Sequence, residues 1–599
     1  MAVKPFRGLL RRQPEEPIPE AEPERCLSCQ ADLRESRLYA QYKVCHACGF
    51  HYHLTARERI ALLADPGTFE PHDDDVSALD PLDFALRRPY RSRIIEAQRR
   101  TGLTEAALTG TAAMFGREVV LGAIDYGFLG GSIGVAAGER LARAFERAAR
   151  RRAPLIIVYS SAGTRMQEGL LALMQVPRVA AAARALARAR VPHVAVLTDP
   201  TTGLAYVGLA NVADYLIAEP NAVLGYAALR VVEEAQREGL PEGAHSSASH
   251  AAAGLVDAVI ARPDLRDALG LVLDVMMNSY RLSPSREARI REGGHTYRAA
   301  WEQVQLSRHE GRPTAAEFAL GVVSPFVELR GDRCGTDDDS VVAGIGSLAG
   351  QSVVVIAHNR RSRTGQAWVR AAGLRKARRA IALASRFDLP LLAFIDTPGF
   401  EPTLENEEAG LGAAATAVVR DLLDVNVPTL AVITGEGGSE AAMTFAIADR
   451  VLMLDNAVFE VIRPEDAAGI LAGRPAGAQE TRDVAERLRL TSHDCLRLRV
   501  IDATVPEPAD GAHANRDEAI RLLRRALIRH LVDVQRQRPG RRLKQRWRRY
   551  RELGPVHTSV RGKLERRLAH LGERVTELRS RLRRRGPRYR NDDVPGIPL

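Results

Sequence analysis

The chain has 599 residues, 45% of them hydrophobic and 27% charged, with a formal net charge of +11. That length exceeds what one core can organise and predicts two large α/β domains with accessory segments. No apolar run approaches the roughly 18 residues of a membrane span, and the N-terminal MAVKPFRGLLRRQPEEPIPEAEPER lacks the apolar stretch of a secretory signal. A soluble cytoplasmic protein without a membrane partner is expected, its residues 1–22 forming a disordered Pro- and Glu-rich leader.

The first element predicted is a metal site over residues 23–53. CLSC at Cys26 and Cys29 and CHAC at Cys45 and Cys48 are separated by 15 residues, the spacing of a four-cysteine zinc ribbon. Four thiolates close a tetrahedron around Zn²⁺ and leave no position for water, so the metal is expected to be structural. His46, His51 and His53 then become surface or packing residues. Cys334 and Cys495 stand alone, which is no disulfide framework. A closed ribbon also suits nucleic-acid binding and does not by itself decide function.

Residues 54–285 and 286–535 read as two copies of one plan. PLIIVYSSAGTRM from Pro154 answers to PLLAFIDTPGFEP from Pro390, and VPHVAVLTDPTTG from Val191 answers to VPTLAVITGEGGS from Val427, both at an offset of 236 residues. In the first copy a strand over 118–124 leads into the Gly-rich turn GFLGGSIG (127–134) and a helix over 135–150. A buried strand over 155–159 then ends at Ser160-Ser161-Ala162-Gly163-Thr164, where a helix opens through Arg165, Met166 and Gln167. In the second copy a strand ends at Ile395-Asp396-Thr397-Pro398-Gly399. Another, over 431–434, is expected to run into a turn Gly435-Glu436-Gly437-Gly438-Ser439 and a helix.

A small-residue turn that opens a helix leaves unpaired N–H groups at the positive end of the dipole, the architecture of an oxyanion hole. One such glycine serves a tight turn equally well; several in register across a duplication favour a functional reading. No GxxxxGK[ST] loop occurs and GFLGGSIG lacks GxGxxG spacing, so nucleotide hydrolysis and dinucleotide binding have little support.

Two basic segments follow. Arg360, Arg361, Arg363, Arg375, Lys376, Arg378 and Arg379 read either as a seat for phosphates or an acidic carrier, or as a solvated helix face. Residues 536–599 hold 21 Lys and Arg against 6 Asp and Glu, a net +15 that leaves the rest of the chain acidic. Leu564, Leu568, Leu571, Val575, Leu578 and Leu582 in this basic tail follow a 4-3-4-3-4 spacing, the seam of a short coiled coil or docking helix. The alternative is an arm for nucleic acid or an acidic partner.

These motifs resemble the carboxyltransferase component of bacterial acetyl-CoA carboxylase, with its beta and alpha subunits fused in one chain. The ribbon, HLTARERI, GFLGGSIG, SAGTRMQEG, LTDPTTG and YLIAEPNAVLGYAALRVVE are similar to the beta subunit. RGDRCGTDDDSVVAGIGSL, FIDTPG, ITGEGGSEAAM, ADRVLMLDNAVFEVIRPEDAA and DGAH are similar to the alpha subunit. The resemblance covers residues 25 to 530.

It implies tandem crotonase-like (ClpP/crotonase) domains, an acyl-CoA on the first and carboxybiotin reaching in from the second. It implies that the amides of Ala162 and Gly163 hold a thioester enolate and those of Gly437 and Gly438 the biotin carbonyl oxygen, with no nucleophilic Ser or Cys. Gly130, Gly131, Thr164, Arg165, Gly203, Gly225, Tyr226, Gly399 and Ser439 become ligand-binding positions. No MKM-like biotinyl-lysine context and no ATP-grasp pattern occurs, so the biotin carboxyl carrier protein and biotin carboxylase are expected as separate partners. A homodimer is implied, with sites between first and second halves.

The chain departs from the family pattern in places. SGGAR becomes Ser161-Ala162-Gly163-Thr164-Arg165, PTTGG becomes PTTGL at Leu204, and GFAGPR becomes GYAALR. GEGGSGG becomes GEGGSEA at Glu440, SPEG becomes Arg463-Pro464-Glu465-Asp466, and an NFGM-like turn is shortened near Arg363 to Arg375. These changes are expected to reshape both pockets and leave two alternatives open. One is carboxylation or decarboxylation of a different acyl-CoA; the other is a weakened homologue with a nucleic-acid role through ribbon and tail.

Overall fold

Hydrophobic runs with turn residues at their ends fold into two sheets of the same topology. The computed structural model describes residues 23–86, 88–227, 229–236, 239–283, 298–361 and 368–554. The first sheet comprises β1 (Glu70–His72), β2 (Ala107–Met114), β3 (Arg117–Ile124), β4 (Leu155–Ser161), β5 (His193–Thr202), β6 (Tyr215–Ala218), β7 (Leu224–Gly225) and β8 (Ala258–Val259). The second comprises β9 (Phe326–Glu328), β10 (Val341–Leu348), β11 (Gln351–His358), β12 (Leu391–Thr397), β13 (Thr429–Gly438), β14 (Arg450–Leu454), β15 (Val458–Glu460) and β16 (Ala503–Val505). Their spatial orders are β1-β2-β3-β4-β5-β6-β8, with β7 on β5, and β9-β10-β11-β12-β13-β14-β16, with β15 on β13.

Each sheet begins with an antiparallel hairpin closed by two left-handed residues. Phe115-Gly116 joins β2 to β3 and Ala349-Gly350 joins β10 to β11, the positive-φ pair that a two-residue hairpin loop requires. The next strands are parallel and buried along their length, which is why LIIVYSS and LLAFIDT carry no polar alternation. The helices Val135–Arg151 and Ala371–Phe387 are both 17 residues long and stop at left-handed Arg152 and Asp388. Each carries a buried cation at the same position. Arg140 donates to the Val76 and Ala107 carbonyls at 2.9 Å, and Lys376 donates to the Asp338 carbonyl at 2.6 Å and that of Val341 at 3.0 Å.

Polar clamps join the two lobes. Asp257 of the first, fully desolvated, pairs with Arg333 at 2.6 Å and Arg379 at 2.9 Å, and Asp214 pairs with Arg386 at 3.0 Å. At the same seam a Cβ on Gly331 would lie 2.1 Å from Gly254 Cα, so the two backbones touch. The ribbon docks on the first lobe through Arg262, which donates to the Tyr42 carbonyl at 2.8 Å while Glu219 grips its guanidinium. Burial alone would raise the Glu219 pKa; Arg59 and Arg262 outweigh it and hold the carboxyl down at about 2.

Ribbon and lobes lie in one compact unit, Met1–Trp547, and Arg548–Leu599 form a second. The basic segment that starts at residue 536 is therefore not all separate from the body. In the helix Pro539–Arg551, Arg546 is buried and donates to the Leu422, Val425 and Val427 carbonyls, capping the end of the helix Leu411–Asp424 as cations do. The leucine seam from Leu564 to Leu582 lies outside the described residues. Among the described residues one helical stretch, Leu170–Arg188, is long and apolar enough to cross a membrane by length and composition; its Val179, Ala182 and Leu186 are buried in the first lobe.

Candidate active site and zinc ribbon

The four cysteines converge as their spacing predicts. Cys26 and Cys48 place their sulfurs 3.7 Å apart, as do Cys29 and Cys45, and all four lie within 4.8 Å of one another. A tetrahedron with Zn–S bonds of about 2.3 Å has edges of about 3.8 Å, so the donor set fits Zn²⁺ without rearrangement. Each knuckle closes by a turn onto the first cysteine's carbonyl, from Gln30 N–H at 2.9 Å and Gly49 N–H at 3.0 Å. His51 stays out of the cluster: its ring bonds to the Gly49 carbonyl and accepts the Arg262 N–H. His53 stacks on Tyr126 at 5.4 Å.

Two turns meet at the C-terminal ends of the parallel strands in each lobe. In the first, residues 161–165 follow β4 and residues 203–204 follow β5. They approach so closely that a Cβ on Gly163 would lie 3.1 Å from Gly203 Cα, and both glycines are left-handed, at φ of 102° and 58°. The Gly163 carbonyl accepts from Ile133 N–H at 2.7 Å. In the second lobe residues 397–401 follow β12, and the Gly399 carbonyl accepts from Val369 N–H at 3.1 Å. The helix Ser439–Phe445 follows β13, its first residue at a φ of 56°.

Strand register fixes which residues correspond. Ser161 pairs with Thr201 after an irregularity at the end of β4, and Thr397 pairs with Gly437 after the same irregularity at the end of β12. Ala162-Gly163 therefore matches Pro398-Gly399, while Thr202-Gly203 matches Gly438-Ser439. The expectation that Gly435 to Ser439 repeats the Ser160–Thr164 turn is corrected: the two belong to neighbouring strands of the plan. Gly435 to Gly438 form no turn. They are the last residues of β13, kept extended because β15 pairs with them, Gly437 to Phe459 and Gly438 to Glu460.

Several expected site residues take different roles. The Ala162 N–H donates to the Gly130 carbonyl at 2.9 Å and the Gly163 N–H to Ser161 Oγ at 3.0 Å, so the first-lobe amides have partners within the protein. Gly437 is paired on both sides, with Thr397 and Phe459. Arg165 is wholly buried and forks onto Glu105 at 2.8 and 2.5 Å, with a further bond to the Ser132 carbonyl. Burial opposes its charge, and Glu105 more than offsets that, leaving its pKa above the usual value. Arg165 is thus a strut beneath the turn, together with Tyr90 and Glu168, whose hydroxyl–carboxylate bond is 2.7 Å.

Gly131 serves close packing, since a Cβ there would lie 2.1 Å from the Ser160 carbonyl oxygen. Thr164 bridges to Ile133, Gly225 pairs with Thr202 beside His245, and Tyr226 is 75% exposed next to it. The contacts of each turn lie within its own lobe.

Residues 52–238 match the carboxyl transferase domain family, and residues 281–554 match the acetyl co-enzyme A carboxylase carboxyltransferase-like family. The chain is 40% identical over 553 residues to the acetyl-coenzyme A carboxylase carboxyl transferase subunits beta/alpha of Salinispora tropica, covering 90% of this chain and 97% of that one. It is 38% identical over 543 residues to the protein of the same description from Saccharopolyspora erythraea, covering 89% and 95%. The chain belongs to the acetyl-CoA carboxylase carboxyltransferase family. Its fold is also similar to that of the transcarboxylase 12S hexamer solved with hydrolysed methylmalonyl-coenzyme A, at 17% identity and a TM-score of 0.63, covering 88% of this chain and 94% of that one.

In this carboxyltransferase the second lobe carries a buried charge hub that the sequence did not announce. Asp396, Glu436 and Glu460 are nearly inaccessible. Arg308 meets Glu436 at 2.8 Å, Glu460 at 3.2 Å and Glu465 at 2.6 Å; Arg360 meets Glu436 at 2.5 Å and Asp396 at 3.4 Å. Burial pushes the Glu460 carboxyl up to about 8, against the pull of Arg308 and with the push of Glu436. Beside the hub lies a cavity of about 490 Å³ lined by Arg308, His309, Arg312, Arg360, Arg361 and Asp396.

Of the two readings of the basic stretch, the phosphate or carrier seat loses its free cations to ion pairs. Arg360 belongs to the hub, Arg361 pairs with Glu317, Arg375 with Asp332, Lys376 with Asp337, Arg378 with Asp421 and Arg379 with Asp257. Arg363 lies outside the described residues.

Proposed function

We propose that this chain transfers a carboxyl group from N1-carboxybiotin, borne by a separate biotin carboxyl carrier protein, to acetyl-CoA in the cytoplasm, giving malonyl-CoA. A biotin carboxylase recharges the carrier. The observation that carries this reading is the combination of a beta/alpha relative matched over 90% of the chain with a pair of strand-end turns in each lobe. Loss of CO₂ from the donor leaves a ureido anion that takes the α proton of the thioester; the enolate carbon then bonds to CO₂. Two oxygens carry negative charge on the way, one on each substrate.

The chain's part is to hold those oxygens. In the first lobe the Gly163 N–H is the donor assigned to the thioester oxygen, because its partner is a side-chain hydroxyl, Ser161 Oγ, and not a backbone carbonyl. The Ala162 N–H stays on a fixed carbonyl. The leading amides of the short helical segment Ala205–Leu209 after β5 add to it, having no intrahelical acceptor by position. In the second lobe Gly438, at the end of its strand, is assigned to the biotin oxygen in preference to Gly437. Removing one donor of this kind typically costs about 3–4 kcal/mol of barrier. Zn²⁺ on Cys26, Cys29, Cys45 and Cys48 holds the ribbon and takes no part in transfer.

Apolar side chains exposed near these turns support assembly of two copies, the first lobe of one meeting the second lobe of the other. They are Met166, Leu170 and Met174 in the first lobe and Leu404, Val461 and Leu471 in the second. Purified chain, carboxylated carrier and acetyl-, propionyl- or longer acyl-CoA test the reading: malonyl-CoA should form fastest. No transfer to any of them by folded, zinc-loaded protein would overturn it, and a faster reaction with a longer thioester would reassign the substrate.

A further inference from the structure

Arg463, a departure from the family pattern, stands near the second-lobe turn without a hydrogen bond to any described residue. It follows β15 by three residues and caps the helix Pro464–Ala472. Its guanidinium lies over the Trp368 ring at 5.1 Å. Trp368 in turn covers Gly399: a Cβ on that glycine would lie 3.3 Å from the indole. Gly399 is continuous with Pro398, whose carbonyl oxygen is 2.3 Å from where a Cβ on Gly438 would sit. A row of contacts thus leads from Arg463 to the end of β13.

What Arg463 lacks is a hydrogen-bonded partner. Its guanidinium makes no hydrogen bond to any described residue, and its buried Nε has no acceptor. The nearest acid is Glu436, with Oε1 3.7 Å from that Nε, and Glu436 already carries Arg308 and Arg360. The side chain is 36% exposed, so part of it is open to solvent. A guanidinium held over an aromatic ring, without a hydrogen bond to the described protein, is matched to a planar oxyanion that accepts two parallel hydrogen bonds. Stacking has also removed much of the rotamer freedom that binding would otherwise cost.

We propose that Arg463, held by Trp368, binds the carboxylate of the carboxyl donor in the second lobe. This inference rests on the carboxyl-transfer reading. The position reads Ser in the family pattern, so this chain recognises the transferable carboxyl with a charged fork where a neutral group is usual.

The test uses the full chain, Arg463→Ser and Arg463→Lys. With carboxylated carrier and acetyl-CoA, Arg463→Ser should raise KM for the carrier about 10- to 100-fold, the worth of hydrogen bonds to a charged group, with KM for acetyl-CoA unchanged. Arg463→Lys should recover part of the loss, because it restores charge without the fork. A carrier KM that does not move overturns the proposal. So does a rise confined to acetyl-CoA, which would make Arg463 a seat for CoA phosphate.

Tryptophan fluorescence gives a readout that does not need turnover. Malonate should give a saturable change in the wild type that is lost in Arg463→Ser, and inorganic phosphate should give none. Should no acyl-CoA be carboxylated at all, the parent reading fails and this titration alone decides: a malonate response that depends on Arg463 upholds the carboxylate site, and its absence, or a response to phosphate only, overturns it.

Discussion

Substituting Gly438 by Ala tests whether the second-lobe turn is positioned by backbone contact. Gly438 has an ordinary extended φ of −83°, so any effect is steric. The new methyl would meet the Pro398 carbonyl oxygen at 2.3 Å, its carbon at 2.5 Å and the Thr397 oxygen at 2.8 Å. A carbon–oxygen contact relaxes only near about 3.3 Å, so the end of β13 and the 397–399 turn must part by about 1 Å. All three obstructing atoms are backbone, and no side chain can swing aside. A misplacement of that size costs ~10²-fold in rate, equivalent to about 2.7 kcal/mol of barrier, while overpacking destabilises by about 1–3 kcal/mol. The assay is carboxyl transfer from carboxylated carrier to acetyl-CoA, run beside a thermal melt. Gly412→Ala is the control, since nothing lies within 4 Å of its added methyl in the helix Leu411–Asp424; it should leave turnover alone. If Gly438→Ala melts like the wild type and turns over within about twofold of it, the approach of the two backbones does not position the reacting groups.

Cys45→Ser should lose the single zinc per chain and unfold the ribbon, because structural zinc supplies the folding free energy of such a module; metal analysis of purified protein checks this, and retained stoichiometric zinc would refute the four-cysteine assignment. Glu105→Ala strands the buried Arg165 charge and should cost about 3–5 kcal/mol, much of it recovered in Glu105→Ala/Arg165→Met; equal shifts of the urea midpoint in single and double variants would contradict the strut. His193 and His358 are buried without polar partners and burial lowers both pKa values to about 3. Since the unfolded imidazole titrates near 6.5, the stability they contribute is complete above that pH and drains away as pH falls towards 3, by of the order of 4 kcal/mol each. His358, stacked on Phe445 at 4.4 Å, can be replaced by Phe; melts between pH 7 and 4 should then show a shallower decline, and an unchanged slope would assign acid lability elsewhere.

What the sequence disclosed follows from which interactions are local. LIIVYSS and LLAFIDT read as strands because both faces are covered, and the 236-residue offset holds through β4 and β5 against β12 and β13 because the paired strands, and the connections between them, have equal lengths. The cysteines were legible because each knuckle is a turn within four residues. Gly435 to Gly438 misled for the converse reason: glycines suggest a turn, but β15, about 20 residues on, supplies the pairing that keeps them extended. Arg165 sits inside a ligand-binding motif, yet its partner Glu105 is 60 residues away and nothing near Arg165 forecasts it. The basic run at 360–379 left a phosphate seat and a solvated face both open because the acids that neutralise it, Glu317, Asp332, Asp421 and Asp257, are scattered along the chain.

The two lobes keep one backbone plan and differ at the atoms that would meet a ligand. Where the first has Ala162, with an N–H, the second has Pro398, with none; where the first has Thr202, the second has Gly438. The left-handed residue that follows is Gly203 in one and Ser439 in the other, with φ of 58° and 56°. Because the register is the same, these differences alter donors and room without moving the strands that carry them. A symmetric pair of sites would bind two molecules of one kind. Two unlike sites can then stand at equivalent places on like scaffolds, because these changes at the strand-end turns leave the register of the sheet intact.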